Sequence, residues 1–204
     1  MATVTDEKLQ VDDRWGVDWV RVRLNESFEE LSALNPDLRV EQESNGEFVF
    51  MSPTGGESSS RNMEIAWQLM NWTKRYGGVC FDSSVIFCLP DGSNRSPDAS
   101  WIAADRWIAL ASEDRKKFPP IAPDFVIELR SETDRLSALQ DKMTSYIKNG
   151  VRLGWLIDPM MKQVHIYRPN SSPDFLTNPE TVSAQDVLPG FVLDLRSIFQ
   201  TMEL

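Results

Sequence analysis

Pro123-Asp124-Phe125-Val126-Ile127-Glu128-Leu129-Arg130-Ser131 is the stretch from which the fold is read. Its run of β-branched and aromatic residues starts after Pro119-Pro120 and is left through Ser131-Glu132-Thr133, the signature of a buried strand. Side chains alternate along a strand, so Phe125, Ile127 and Leu129 share one face while Asp124, Val126, Glu128 and Arg130 share the other. The first face reads as core and the second as charged. A carboxylate in the middle of a buried strand is costly unless a cation or hydrogen-bond donors meet it, so something must compensate Glu128.

Downstream, Asp134 to Asn149 has helical periodicity with a core stripe of Leu136, Leu139, Met143, Tyr146 and Ile147, and Gly150 is placed to end it. Lys142 and Arg135 lie at the edge of that stripe. Leu153–Ile157 and Gln163–Tyr167 form a predicted hairpin around Asp158-Pro159, and the tail closes with LPGFVLDL and a helical turn near Ile198. Upstream, Arg95–Ile102 reads as one strand with Asp98 near its start, preceded by short strands at Val79–Phe81 and Val85–Leu89. Ala104–Ala111 and Ser112–Lys117 read as short helices. Glu57 to about Tyr76 is a long helix, mostly buried, with a polar stripe of Glu64, Gln68, Asn71 and Arg75. Before it, Leu38–Met51 is a hairpin whose Asn45-Gly46 supplies the positive φ values of a tight turn. A helix over about Asn25–Leu34, capped by Ser27, belongs to a segment, 1–37, expected on the outside.

Composition narrows the class. With 204 residues, 41% hydrophobic and 25% charged, the chain reads as one soluble domain over 1–204, with its core over about 38–199. No apolar run reaches the roughly 20 residues that cross a bilayer, and MATVTDEKLQ lacks a signal peptide's apolar centre, so no membrane association and a cytoplasmic location are expected. Cys80 and Cys88 make no disulfide framework and no CxxC, which argues against zinc and redox chemistry; both read as small core residues. A net charge of −10 excludes a protein that coats nucleic acid non-specifically. The single histidine, His165, sits in a strand with no nucleophile motif near it and reads as a surface residue.

Asp98 and Glu128 both lie at or near strands, and Arg130 follows Glu128 on the same face. Two carboxylates converging with a cation are what a divalent-metal phosphodiesterase needs: hard oxygens hold Mg²⁺, and a Lys or Arg neutralises the attacked phosphate. A plainer reading of the same residues is an internal salt bridge from Glu128 to Arg130 or Lys142, with Asp98 a turn residue after Pro97. Asp124 reads as a hydrogen-bonding residue at the strand's start, Asp158 as a turn residue, and Trp67, Trp72, Trp101, Trp107 and Trp155 as packing.

RSPDASWIAADRW followed by FPPIAPDFVIELRSETDRLSALQDKMTSYIKNGVRLGWLIDP resembles the Uma-two family of putative restriction endonucleases, in the PD-(D/E)xK nuclease superfamily. The likeness extends to NGEFVFMSPTGG and VLPGFVLDL, covering about residues 38–199. It implies an α/β restriction-endonuclease-like core, a mixed β-sheet flanked by helices, with an N-terminal hairpin extension. Carried over by resemblance, Pro97-Asp98 matches the PD element, Glu128 the second acidic ligand, and Glu64 a helix-borne acidic residue found in some members. Arg130 stands where ExK has lysine, a role the resemblance moves to Lys142 on the following helix. An ordinary solvated helix face explains Glu64 as well.

The leading expectation is a Mg²⁺ (or Mn²⁺) endonuclease acting on DNA, with Asp98 and Glu128 as metal ligands, Lys142 at the phosphate and Glu64 assisting. The alternative is an inactive nucleic-acid-binding or assembly module keeping the fold, motivated by the acidic balance and the missing ExK lysine. A third is a two-carboxylate glycoside hydrolase, which Lys142 beside the pair disfavours. Substrate sequence, strandedness and assembly state, a homodimer included, stay open.

Overall fold

The computed structural model describes residues 19–22 as backbone, and 27–35, 37–51 and 53–200 in full. MATVTDEKLQ and the rest of the segment expected on the outside (11–18, 23–26 and 36, with the predicted helix start at Asn25) lie outside the described residues, as do 52 and 201–204. In chain order the elements are β1 (Trp19–Val22), α1 (Phe28–Leu34), β2 (Val40–Gln42), β3 (Phe48–Met51), α2 (Gly56–Tyr76), β4 (Val79–Asp82), β5 (Phe87–Cys88), β6 (Asn94–Arg95) and β7 (Ala99–Ile102). Then come α3 (Ala104–Ala109), α4 (Ser112–Arg115), β8 (Phe125–Leu129), α5 (Leu136–Lys148), β9 (Leu153–Asp158), β10 (Gln163–Tyr167), β11 (Asp174–Thr177), β12 (Thr181–Ser183), β13 (Val192–Asp194) and α6 (Arg196–Phe199).

The fold is α/β, built on a mixed six-stranded sheet in the order β11-β10-β9-β8-β7-β4. Only β8 and β9 run parallel, with Ile127 opposite Trp155, because α5 carries the chain across between them. One face packs Phe125, Ile127 and Trp155 against Ile65, Leu69 and Trp72 of α2 and Leu193 of β13. The other packs Val126 and Leu156 against Met143 and Tyr146 of α5. The second face of β8 is therefore not a charged surface: Asp124 and Val126 are fully buried and Glu128 is 4% exposed. α5 lies so close to β9 that a side chain at Gly154 would run into the methyl end of Met143.

A second sheet, β1-β3-β2-β6-β5, contains the predicted hairpin. Only Gly46 takes positive φ, at 85°, while Asn45 stays at negative φ and its Oδ1 accepts the Glu47 N–H. The extra strand β1, which nothing in its pattern singled out, pairs with β3. α1 starts at Ser27, whose side chain accepts from the Glu30 N–H in a capping box.

Two expectations are corrected. Arg95–Ile102 is not one strand: β6 pairs in the hairpin sheet and β7 in the central one, the chain changing sheets through Ser96-Pro97-Asp98. Proline, which has no N–H to give a ladder, sits at the switch. α2 is not mostly buried either. Ile65, Leu69, Trp72 and Thr73 form its covered stripe, while Met63 and Trp67 stand exposed, so Trp67 is not a packing residue. Both cysteines are free and half-buried.

Candidate active site

Extending the β7–β8 register by one residue, from Ala99 opposite Ile127, sets Asp98 opposite Glu128. Opposed residues of an antiparallel pair project from the same face. Asp98 Oδ2 accepts the Leu129 N–H at 2.8 Å, and Oδ1 accepts Asn62 Nδ2 of α2 at 3.2 Å. Helical spacing puts Lys142 and Tyr146 one turn apart on α5, and both reach Glu128 Oε1 at 2.9 Å. Asp98, Glu128 and Lys142 thus line one recess of about 200 Å³.

The hairpin sheet adds a residue that sequence reasoning missed. Glu41, on β2 and 2% exposed, receives Lys142 Nζ at 2.9 Å, the Ser96 N–H at 2.8 Å and Arg95 at 3.2 Å. Arg95 also pairs with Glu43. The signal for Glu41 is in the sequence: Arg39, Glu41 and Glu43 alternate through β2 and its two flanking positions, a charged row on one face. The hairpin is therefore a wall of the site rather than a mere extension.

Carboxylates outnumber the cations here, and the protonation of each follows from its partners. Burial pushes the Glu128 carboxyl up to about 8, a rise that Lys142 opposes without overcoming and to which Asp98 and Glu41 add. Burial also raises Asp98, against the lowering effect of the Leu129 N–H. For Glu41 burial is outweighed by Lys142 and Arg95, which hold it below the usual carboxylate range. Burial works against the Lys142 ammonium, yet Glu128 and Glu41 more than reverse it and keep it charged. Glu41 is thus the firm counter-ion of Lys142, and Glu128 is the carboxyl left short of positive charge.

The remaining sequence candidates lie elsewhere. Glu64 does not join the recess: it accepts from Gln68 Nε2 and lines a separate groove with Arg130 and Lys162. Gln68 on the same stripe exchanges hydrogen bonds with the backbone of Asp194, so this face of α2 meets β13; Asn62, about 120° around the helix from Gln68, faces the carboxylates. Arg130 is bound to Asp158 at 2.7 Å and to the Asp134 carbonyl, leaving Lys142 as the cation at Glu128. Asp158 also caps the N–H groups of Met160 and Met161, as a turn residue does. His165 is half-buried, its Nε2 without a partner among the described residues.

Whether this set suits a metal can be tested on its donors. No group of three or more His, Cys, Asp or Glu side chains is arranged to hold an ion among the described residues, which disfavours zinc. Mg²⁺ needs less, one or two carboxylates with its own waters and substrate phosphate completing the octahedron. Asp98 and Glu128 meet that requirement. Among the described residues no hydrogen bond reaches Glu128 Oε2, and the buried Asn62 Oδ1 beside Asp98 has no donor, as an acceptor for a metal-bound water would.

The family model described as Uma2, putative restriction endonuclease, matches residues 25–196. No curated protein matches. Among solved structures, a putative nuclease belonging to DUF820 from Anabaena variabilis superposes with a TM-score of 0.68 over 78% of this chain and 89% of that one, at 22% identity, and has the same fold. A DrdV–DNA complex gives a TM-score of 0.40 at 16% identity, covering 85% of this chain and 13% of that one.

Proposed function

We propose, because the chain belongs to the Uma2 family and its acidic residues converge with a lysine in one recess, that it is a Mg²⁺- or Mn²⁺-dependent endonuclease hydrolysing DNA phosphodiester bonds. The observation that carries the reading is the carboxylate excess at Asp98, Glu128 and Glu41 around a single lysine. Asp98 and Glu128 would hold the metal, which when bound lowers the pKa of its water and stabilises charge on the phosphorane. Asp98 is kept in one orientation by Asn62 and the Leu129 N–H, and Glu128 has one oxygen engaged by Lys142 and Tyr146, with no hydrogen bond to the other among the described residues. Lys142 stays an ammonium and so serves as a charge and donor at the phosphate, not as a base. Glu41 positions that ammonium from the far side.

The test is cleavage of plasmid and single-stranded DNA by the full chain with Mg²⁺ or Mn²⁺, beside Asp98→Asn. Metal-dependent cleavage that the variant loses by about 10²-fold or more supports the nuclease; a wild type that cuts nothing with either metal overturns it. A second reading, a non-catalytic nucleic-acid-binding or assembly module, draws on the fact that Lys142 is already bound by two carboxylates.

A further inference from the structure

Resting on the nuclease reading, we infer that the substrate is unpaired DNA, a single strand or a locally melted segment, and that intact duplex is a poor one. The carboxylates lie low in the recess: Glu128 is 4% and Glu41 2% exposed, and Asp98 is half-buried. One wall is the hairpin with its following loop, carrying Val49, Met51 and Pro53; the other is the 131–135 loop and the start of α5, with Ala138 and Leu139. The space between them, about 200 Å³, is what about seven waters fill in the liquid. Even the major groove of B-DNA is about 12 Å across, and a stacked duplex offers its phosphates on a stiff convex surface. A phosphate reaches the floor of such a recess only if its nucleotide leaves the stack, which is cheapest where the base is already unpaired.

Two further features agree. The walls are apolar enough to take the faces of a sugar and base, a contact any base sequence can make. Of the recess's basic side chains, Arg95 is bound by Glu41 and Glu43, Lys142 by Glu41 and Glu128, and Arg39 donates to Thr54 and the Ser83 carbonyl. With a net charge of −10 besides, there is little to grip the many phosphates of a duplex.

The experiment uses the full chain with Mn²⁺ on a labelled oligonucleotide, its perfect duplex, and that duplex carrying an unpaired bubble. The strand and the bubble should be cut about tenfold or more faster than the duplex, with bubble cuts confined to unpaired positions. Ala138→Trp, which fills the recess, should abolish strand cleavage while Mn²⁺ still raises its melting temperature. Duplex cut as fast as the strand, or an Ala138→Trp protein that cuts like wild type, overturns the inference and leaves the nuclease standing. No cleavage of any of the three overturns the nuclease and the inference with it.

Discussion

Asp124 and Glu128 are buried carboxylates on the same face, at the start of β8 and within it, but their surroundings have opposite logic. Asp124 accepts the Ala103 N–H at 2.9 Å and meets Arg106 at 2.9 Å and Arg152 at 3.5 Å: one negative charge, two cations and a donor. Glu128 shares Lys142 with Glu41, which also has Arg95, accepts from the Tyr146 hydroxyl and faces Asp98. A matched cluster is what a fold uses to join β8 to its neighbours. An unmatched one beside an open recess stores electrostatic strain that a cation can relieve, and that imbalance, not burial as such, separates a site from a structural ion pair.

The largest effect is expected at Lys142. Lys142→Met leaves Glu41 and Glu128 buried without their shared cation, and should cost about 3–5 kcal/mol in urea unfolding above about pH 8, less at lower pH where Glu128 takes up a proton. Next is Asp124→Ala, expected to cost about 2–3 kcal/mol, less than the lysine because Arg106 and Arg152 are half-exposed and water takes the place of their partner. Its melting-temperature rise with Mn²⁺ should persist, and a lost metal response would show that the two ends of β8 are not independent.

Glu128 gives a pH signature of opposite sign to Glu41. A carboxyl raised from 4.5 to about 8 contributes stability that is present below the first value and lost as pH rises through the second. Glu41, lowered, contributes stability present at neutral pH and lost only as acid titrates it below 4.5. Unfolding midpoints of the metal-free protein should thus fall between about pH 4.5 and about pH 8 in wild type and fall less in Glu128→Gln, which should also lose the Mn²⁺ response. Equal pH slopes would refute the assignment. The smallest effect belongs to Glu64→Ala, within about 0.5 kcal/mol, with metal response and cleavage intact.

Much of the fold was legible because its strongest elements obey local rules. The β-branched run of β8 and the 3.6-residue stripe of α5 ending at Gly150 with φ of 102° need no tertiary information. α2 was placed within a residue at its start, yet its covered face was overestimated, since periodicity marks apolar arcs and not the width of sheet available to cover them. The sheet switch at Pro97 was missed because residues on both sides of it continue the same extended pattern. At the site, Asp98 and Glu128 could be named, but their common face depends on register, which pairing decides. Helical periodicity put Lys142 within reach of Glu128 as an ion-pair partner and only its role at a phosphate came from resemblance, while Glu41 escaped because its partners are 54 to 101 positions away.

Anomalous diffraction from a crystal grown with Mn²⁺ decides whether the unmatched carboxylates form a divalent-metal site. The expected result is an ion held by carboxylate oxygens of Asp98 and Glu128 at about 2.1 Å, with Lys142 still on Glu41. An ion held elsewhere, or none in a crystal saturated with Mn²⁺, would contradict it.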